Sequence, residues 1–244
     1  MGPASAAAIV LAGWLIGATG IGGVLVVPAL AQFEAMDVQR AISASALAFA
    51  LPGVAALWWL RRGDAPSGVH LGAMVGGAIP GAVLGALLVH HVETRWLLAA
   101  LALLALASGL RGLRPAGAAA SDPLSLRAGT AVVLGFAVGV GSALTGTGGP
   151  VLLVPLLLLW RQPMVRTVAA AQAIQLPIAL CASAAHWASG SLDLVLAASL
   201  GLLLLGGSLA GQWCARRIRV HWLQRLMSVL LVVTGGWLAW RAVQ

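Results

Sequence analysis

From Met1 to Phe33, and again from Ala128 to Trp160, the chain runs for 33 residues without a single charge. A fully helical segment of that length extends about 50 Å, against a hydrocarbon core of about 30 Å. Each run is also interrupted in its middle, by Gly20, Gly22 and Gly23 in the first and by Gly146, Gly148, Gly149 and Pro150 in the second. Glycine and proline are the residues least suited to a helix interior. In lipid every backbone N–H and C=O needs a partner, so irregular backbone is tolerated only when buried in protein or lining a polar cavity. Each interrupted run is expected to give two helical pieces of roughly 11–15 residues that meet near mid-membrane.

The remaining sequence agrees with a membrane setting. Only 8% of residues are charged and 61% are hydrophobic, whereas a soluble domain carries about a quarter charged residues. Apolar runs of about 20 residues recur along the chain, as transmembrane helices require. The expected fold class is therefore an all-α polytopic membrane protein in the lipid bilayer. The start, MGPASAAAIV, has no basic n-region, so no cleavable signal peptide is read there. All fourteen basic residues are Arg and the net charge is +8. They cluster at segment ends, which reads as topology rather than as nucleic-acid binding. Trp58, Trp59, Trp96, Trp160, Trp187, Trp222 and Trp240 lie near span ends, as an aromatic belt does. Cys181 and Cys214 stand in apolar segments with no CxxC partner and read as packing residues; no metal site and no cofactor is expected.

Sliding the chain on itself by 126 residues aligns Gly13 with Gly139, and Thr19, Gly20, Gly22 and Gly23 with Thr145, Gly146, Gly148 and Gly149. Arg40 then falls on Arg166, Gly81 on Gly207, Gly85 on Gly211 and Trp96 on Trp222. Chance similarity between apolar segments seldom aligns Gly, Thr, Arg and Trp at one spacing, so a duplication is read. The first membrane repeat is 1–113, the linker 114–126 (RPAGAAASDPLSL) and the second repeat 127–244. Each repeat holds a broken segment (4–32; 128–160) and three helices (38–60, 68–90, 94–113; 164–188, 192–214, 220–241). The glycine-rich stretch 72–85 leaves packing within one chain or between two copies, a homodimer, both open.

The arginines decide between parallel and inverted repeats. If each broken segment crosses once, the fourteen divide eight to six. If each returns or crosses twice, one side holds Arg61, Arg62, Arg111, Arg114, Arg127, Arg161, Arg166, Arg216, Arg217, Arg219 and Arg225, and only Arg40, Arg95 and Arg241 remain opposite. That positive-inside bias favours two inverted repeats with both termini on the outer side.

A helix broken inside the membrane presents unpaired N–H groups at the start of its second piece, where the macrodipole is positive. Such an end attracts an anion. The glycines permit left-handed turns and close ligand approach, and Thr19, Thr145 and Thr147 add hydroxyls. Pro150 lacks only an N–H that a first helical position does not use. The alternative is that the glycines merely let helices pack closely. Gln172 and Gln175 either ligate an oxyanion or bond another helix, and Arg40 and Arg166 either draw in an anion from opposite faces or snorkel at helix ends. Ser43 and Ser45 are weaker candidates, and His186 is read as interfacial. Glu34, Asp37, Asp64, Glu93, Asp122 and Asp193 all fall in loops or span ends, which suits an anion site better than a cation site.

The paired motifs GATGIGGVLVVPAL (17–30) and LTGTGGPVLLVPLLL (144–158), each followed by a short loop, an Arg and a second helix, resemble the TauE/SafE (TSUP) family of sulfite exporters. The resemblance spans essentially the whole chain. It implies a bacterial inner-membrane transporter, not an enzyme, moving a small anionic substrate such as sulfite, sulfoacetate or another sulfonate. By position it carries over only the segments Thr19–Gly23 and Thr145–Pro150. Ile21 and Val24 stand where the second motif has Thr147 and Pro150, so the second break is expected to supply most ligand contacts. A passive anion channel and an accessory subunit share these sequence features. The odd crossing number predicts that single cysteines placed after Arg61 and near Arg95 are labelled by an impermeant maleimide from opposite faces; labelling of both from one face refutes the inverted arrangement.

Overall fold

A computed structural model describes residues 1–62, 70–88, 94–113, 126–160, 162, 164–215, 217 and 220–243, and every regular element among them is helical. Helix α1 (Pro3–Thr19) starts with proline in its first turn and ends at Gly20, whose left-handed φ of +81° turns its N–H back onto the Ile16 carbonyl. A 3₁₀ turn (Gly22–Leu25) leads into α2 (Val26–Phe33). Here the chain doubles back: Gly22 abuts the Ala12 carbonyl and the Ile16 amide. Past the end of α2, the Glu34 carboxylate accepts from the Gly2 N–H at 2.7 Å and from the Ser5 hydroxyl at 2.5 Å. The first segment therefore enters and leaves at the same end of the molecule. Those donors hold the Glu34 carboxyl below its ordinary range, the Ser5 hydroxyl contributing most.

Asp37 caps α3 (Val38–Ala48) by accepting from the Gln39 N–H at 3.0 Å, and α4 (Ala50–Arg62) continues it after a break at Phe49. Pro52 lacks the N–H that would bond the Ala48 carbonyl, so the expected single helix over 38–60 is interrupted there. Next come α5 (Leu71–Leu88) and α6 (Thr94–Leu113). The second half comprises α7 (Ala128–Thr145), α8 (Pro150–Leu159), α9 (Met164–Ala188), α10 (Leu194–Ala215) and α11 (Val220–Val243). Helix α8 folds back along α7, with the Leu152 side chain against Gly141. Among the described residues, five helical stretches, Gln39–Trp58, Leu71–Leu88, Ala128–Thr145, Arg166–Ala188 and Leu194–Ala215, are long and apolar enough to cross a membrane.

One expectation needs correcting. The broken segments do not divide evenly: α1 has 17 residues and α7 has 18, whereas the first segment returns through a four-residue 3₁₀ turn and the eight residues of α2, within the expected length, and the second through the ten of α8. At 1.5 Å per residue the long arms reach about 25 Å.

Between helices in lipid there is little hydrophobic drive, so close van der Waals approach must hold them together. Glycine spacing supplies it. On the α1/α10 interface a Cβ at Gly17 would strike the Ser208 carbonyl, one at Gly207 the Val10 carbonyl and one at Gly211 the Trp14 carbonyl. The α5/α7 interface matches: Gly77, Gly81 and Gly85 lie on the carbonyls of Val132, Phe136 and Val140, and Gly135 and Gly139 on those of Met74 and Ala78. The partners advance together along both helices in each pair, so α1 runs parallel to α10 and α5 to α7. Gly109 instead lies on Ser228, and Gly235 on Ala102 and Leu106, so α6 and α11 run antiparallel. Buried Ile21, Val138, Leu153, Leu157, Ile174 and Ile178 form one core, and Ile9, Ile16, Leu30, Phe49, Leu200 and Leu204 another. Leu103, Val133, Val195, Leu202 and Trp222 face outward.

Of the expected linker 114–126, only Leu126 lies among the described residues, where it is buried. Arg114, Arg161, Arg216, Arg219, Asp64, Glu93 and Asp122 fall outside them. Gly17→Val and Gly211→Val are expected to destabilise the protein in detergent by about 2 kcal/mol or more, because backbone cannot yield as a side chain would. Gly76→Val and Gly206→Val, with open space around them, are expected to leave the thermal midpoint nearly unchanged.

Candidate substrate site at the helix breaks

The second break is built by three left-handed glycines. Gly146 (φ +63°) caps α7, Gly148 (+80°) and Gly149 (+99°) follow, and Pro150 opens α8. Gly149 occupies the N-cap position, and no side chain makes a capping hydrogen bond to the electropositive start of α8. The Thr145 hydroxyl donates to the Gly141 carbonyl at 2.7 Å and lies 3.0 Å from the Thr147 hydroxyl. Ser142, one turn earlier on α7, is 2% exposed and its hydroxyl has no hydrogen-bond partner. That oxygen is 3.7 Å from where a Cβ on Gly149 would stand. A buried unpaired hydroxyl beside an uncapped helix start is unusual, because such groups are normally satisfied.

The first break is closed by its own groups. The Thr19 hydroxyl donates to the Leu15 carbonyl at 2.7 Å and accepts from the Ile21 N–H at 3.3 Å. Thr19, Gly20, Gly22 and Gly23 are all buried. The two breaks touch side by side: a Cβ on Gly23 would run into the Thr147 carbonyl and stand 3.2 Å from the Phe49 ring. A Cβ on Gly148 would stand 2.9 Å from the same ring. Phe49, at the break between α3 and α4, thus packs against both glycine segments. Ser45 ties α3 to the second break by donating to the Gly146 carbonyl at 3.2 Å.

The glutamines of α9 lie beside these segments. Gln172 Nε2 donates to the Ile16 carbonyl at 3.1 Å, near the tip of α1. Gln175 Nε2 donates to the Phe49 carbonyl at 3.3 Å, and its Oε1 is buried with no partner. The arginines are not brought there. Arg40 is exposed and donates to Asp193 at 2.7 Å, which holds that carboxyl below its ordinary range. Arg166 is exposed in the first turn of α9, toward the opposite end. Ser43 bonds the Gln39, Arg40 and Ser191 carbonyls near Arg40, away from the breaks. His186 lies near the end of α9 as expected, but buried, with Ser191 Oγ 3.4 Å from Nδ1.

Sequence reasoning passed over Ser142 and Phe49. Ser142 had a signal, standing three residues before Thr145 and so on the same helical face. Phe49 had another, as the 126-residue counterpart of Gln175. Altogether the described residues at the breaks offer neutral hydroxyl, amide and backbone donors and a positive helix end, a set suited to a small anion.

The family model described as sulfite exporter TauE/SafE matches residues 5–238. No curated protein and no solved structure matches the chain. At Gly149, both the left-handed backbone and Ile178, 3.0 Å from an added Cβ, oppose any side chain. Gly149→Val is expected to insert normally, as judged by membrane fractionation, and to lose transport; near-wild-type transport by the folded variant refutes the site.

Proposed function

The chain belongs to the sulfite exporter TauE/SafE family, and from that premise we propose that it exports a small sulfur-containing oxyanion such as sulfite, sulfoacetate or another sulfonate as a secondary transporter. The substrate binds between the two helix breaks, and access to it alternates between the membrane faces. The observation that carries this reading is the side-by-side contact of the breaks at Gly23 and Thr147, with Phe49 against both. Interrupted helices whose N-termini meet away from either surface are how such transporters hold a charged group in lipid.

Two inverted repeats, 1–113 and 127–244, underlie this cycle. Shifted by 126, α7 falls on α1, α9 on α3 and α4, α10 on α5 and α11 on α6. The counterparts α6 and α11 run antiparallel, as a two-fold axis in the membrane plane requires. Gln175 and Phe49, themselves counterparts, are hydrogen-bonded to one another, which supports placing that axis through the site. Close helix pairs form between repeats, α1 with α10, α5 with α7 and α6 with α11, so each rocking body combines elements of both halves. The glycine face at residues 77, 81 and 85 is used within one chain, which leaves the homodimer without an assigned surface.

Among the described residues, Arg61, Arg62, Arg111, Arg127, Arg166, Arg217 and Arg225 share one end, and Arg40, Arg95 and Arg241 the other. This supports a bacterial inner-membrane orientation with the first end cytoplasmic and both termini periplasmic. Proteoliposomes containing only this chain, preloaded with sulfite or sulfoacetate, are expected to take up labelled substrate by saturable counterflow that chloride competes poorly. Linear, non-saturating flux would indicate a channel, and no flux from folded protein an accessory subunit.

A further inference from the structure

The unpartnered groups at the second break differ in kind. The Ser142 hydroxyl is a donor and stands beside the positive start of α8, a setting that suits any oxyanion. Gln175 Oε1 is only an acceptor. Its orientation follows from the other end of the amide: the Phe49 carbonyl, which also accepts from the Gly53 N–H, can only accept, so Nε2 faces it and Oε1 faces away. Gln175 is 1% exposed, and Oε1 is left without a donor. Its neighbours on α9, Ile174 and Ile178, both flank Gly149, the residue that Ser142 Oγ also approaches. A buried carbonyl oxygen with no donor is costly, and an anion presenting only oxygen lone pairs would aggravate that cost.

Building on the transporter reading above, we propose that the site selects an oxyanion that still carries a proton: the α8 start and Ser142 hold the ionised oxygens while Gln175 Oε1 accepts a hydrogen bond from the ligand's own O–H. For sulfite, the species carried is then the monoanion, hydrogensulfite, rather than the dianion. Each transport cycle would move that proton together with the anion, on the substrate itself. Fully deprotonated oxyanions such as sulfate are rejected because they set a lone pair against a lone pair, and ionised sulfonates, which carry no O–H, are disfavoured for the same reason, so within the proposed substrate class the site favours sulfite. This is discrimination by a buried polar group left unpaired, stronger than a shape difference of one atom provides.

The test compares hydrogensulfite with methanesulfonate, an equally charged monoanion whose methyl group cannot donate, by isothermal titration of the purified wild-type protein in detergent. Hydrogensulfite is expected to bind at least about tenfold more tightly. Sulfite's apparent affinity is expected to fall as pH rises through its second ionisation. Gln175→Met should bring the two monoanions within about twofold of each other, whereas Ser142→Ala should weaken both about equally and preserve their ratio. Equal wild-type binding of the two, tighter sulfite binding at alkaline pH, or an unchanged ratio in folded Gln175→Met overturns the inference. The wild-type comparison does not depend on any variant folding. If counterflow is intact while the two monoanions bind equally, only the proton-reading role falls. If no anion binds and none is exchanged, the transporter reading fails and this inference with it.

Discussion

Everything in this fold depends on where irregular backbone is hidden. A broken helix in lipid exposes peptide groups that hydrocarbon cannot satisfy, so a chain with two breaks must surround both with protein. Here it does so with the breaks themselves. Gly23 lies against the Thr147 carbonyl, Phe49 packs on both segments, and Ser45 bonds the Gly146 carbonyl. The long arms α1 and α7 reach these positions only because glycines let them lie directly on the backbones of α10 and α5. Close helix packing and the anion-attracting break were rival explanations for the glycines. They are divided by position: Gly13, Gly17, Gly135 and Gly139 serve packing, while Gly146, Gly148 and Gly149 serve the turn.

Sequence pattern made much of this legible. Hydropathy placed the long helices α5, α6, α9, α10 and α11 to within a few residues, because in lipid the length of an apolar run is dictated by bilayer thickness. The returning course of each broken segment was legible from the arginines, and the Glu34 contacts with Gly2 and Ser5 agree with it for the first segment. What pattern could not give was the unequal division of the arms. Glycines at 20 to 23 mark a turn, but the length of the arm before it goes with its close packing on α10, which is a property of the pair. The break at Phe49 was hidden because Pro52 lies within a long apolar run, and proline is tolerated in transmembrane helices when neighbours satisfy the freed groups.

The two breaks are similar in sequence and unlike in chemistry. Thr19 spends its hydroxyl on its own helix and on the Ile21 N–H, so the first break is a closed structural turn. The second retains Ser142 and Gln175 Oε1 without partners. The exchange of Ile21 for Thr147 and of Val24 for Pro150 hinted at this asymmetry, yet the two unpartnered atoms lie outside the motif, one on α7 and one on α9. Arg40 and Arg166, which the register paired so clearly, stand exposed at opposite ends. Matched positions along the chain therefore do not by themselves identify a site.

The partner exchange between halves also sets a timetable. Gly13 meets Leu204, about 190 residues later in the chain. At a ribosomal rate of about 5–20 residues per second, α1 waits roughly 10–40 seconds for the helix that its glycines fit. Throughout that interval its turn has neither the second break nor α10 beside it. The nascent first half must therefore be sheltered by the insertion machinery or by provisional contacts with α3 and α4. Release into bulk lipid before α10 emerges would leave the Gly20–Gly23 turn facing hydrocarbon, so the order of synthesis is itself a constraint on how this chain can be rearranged or split.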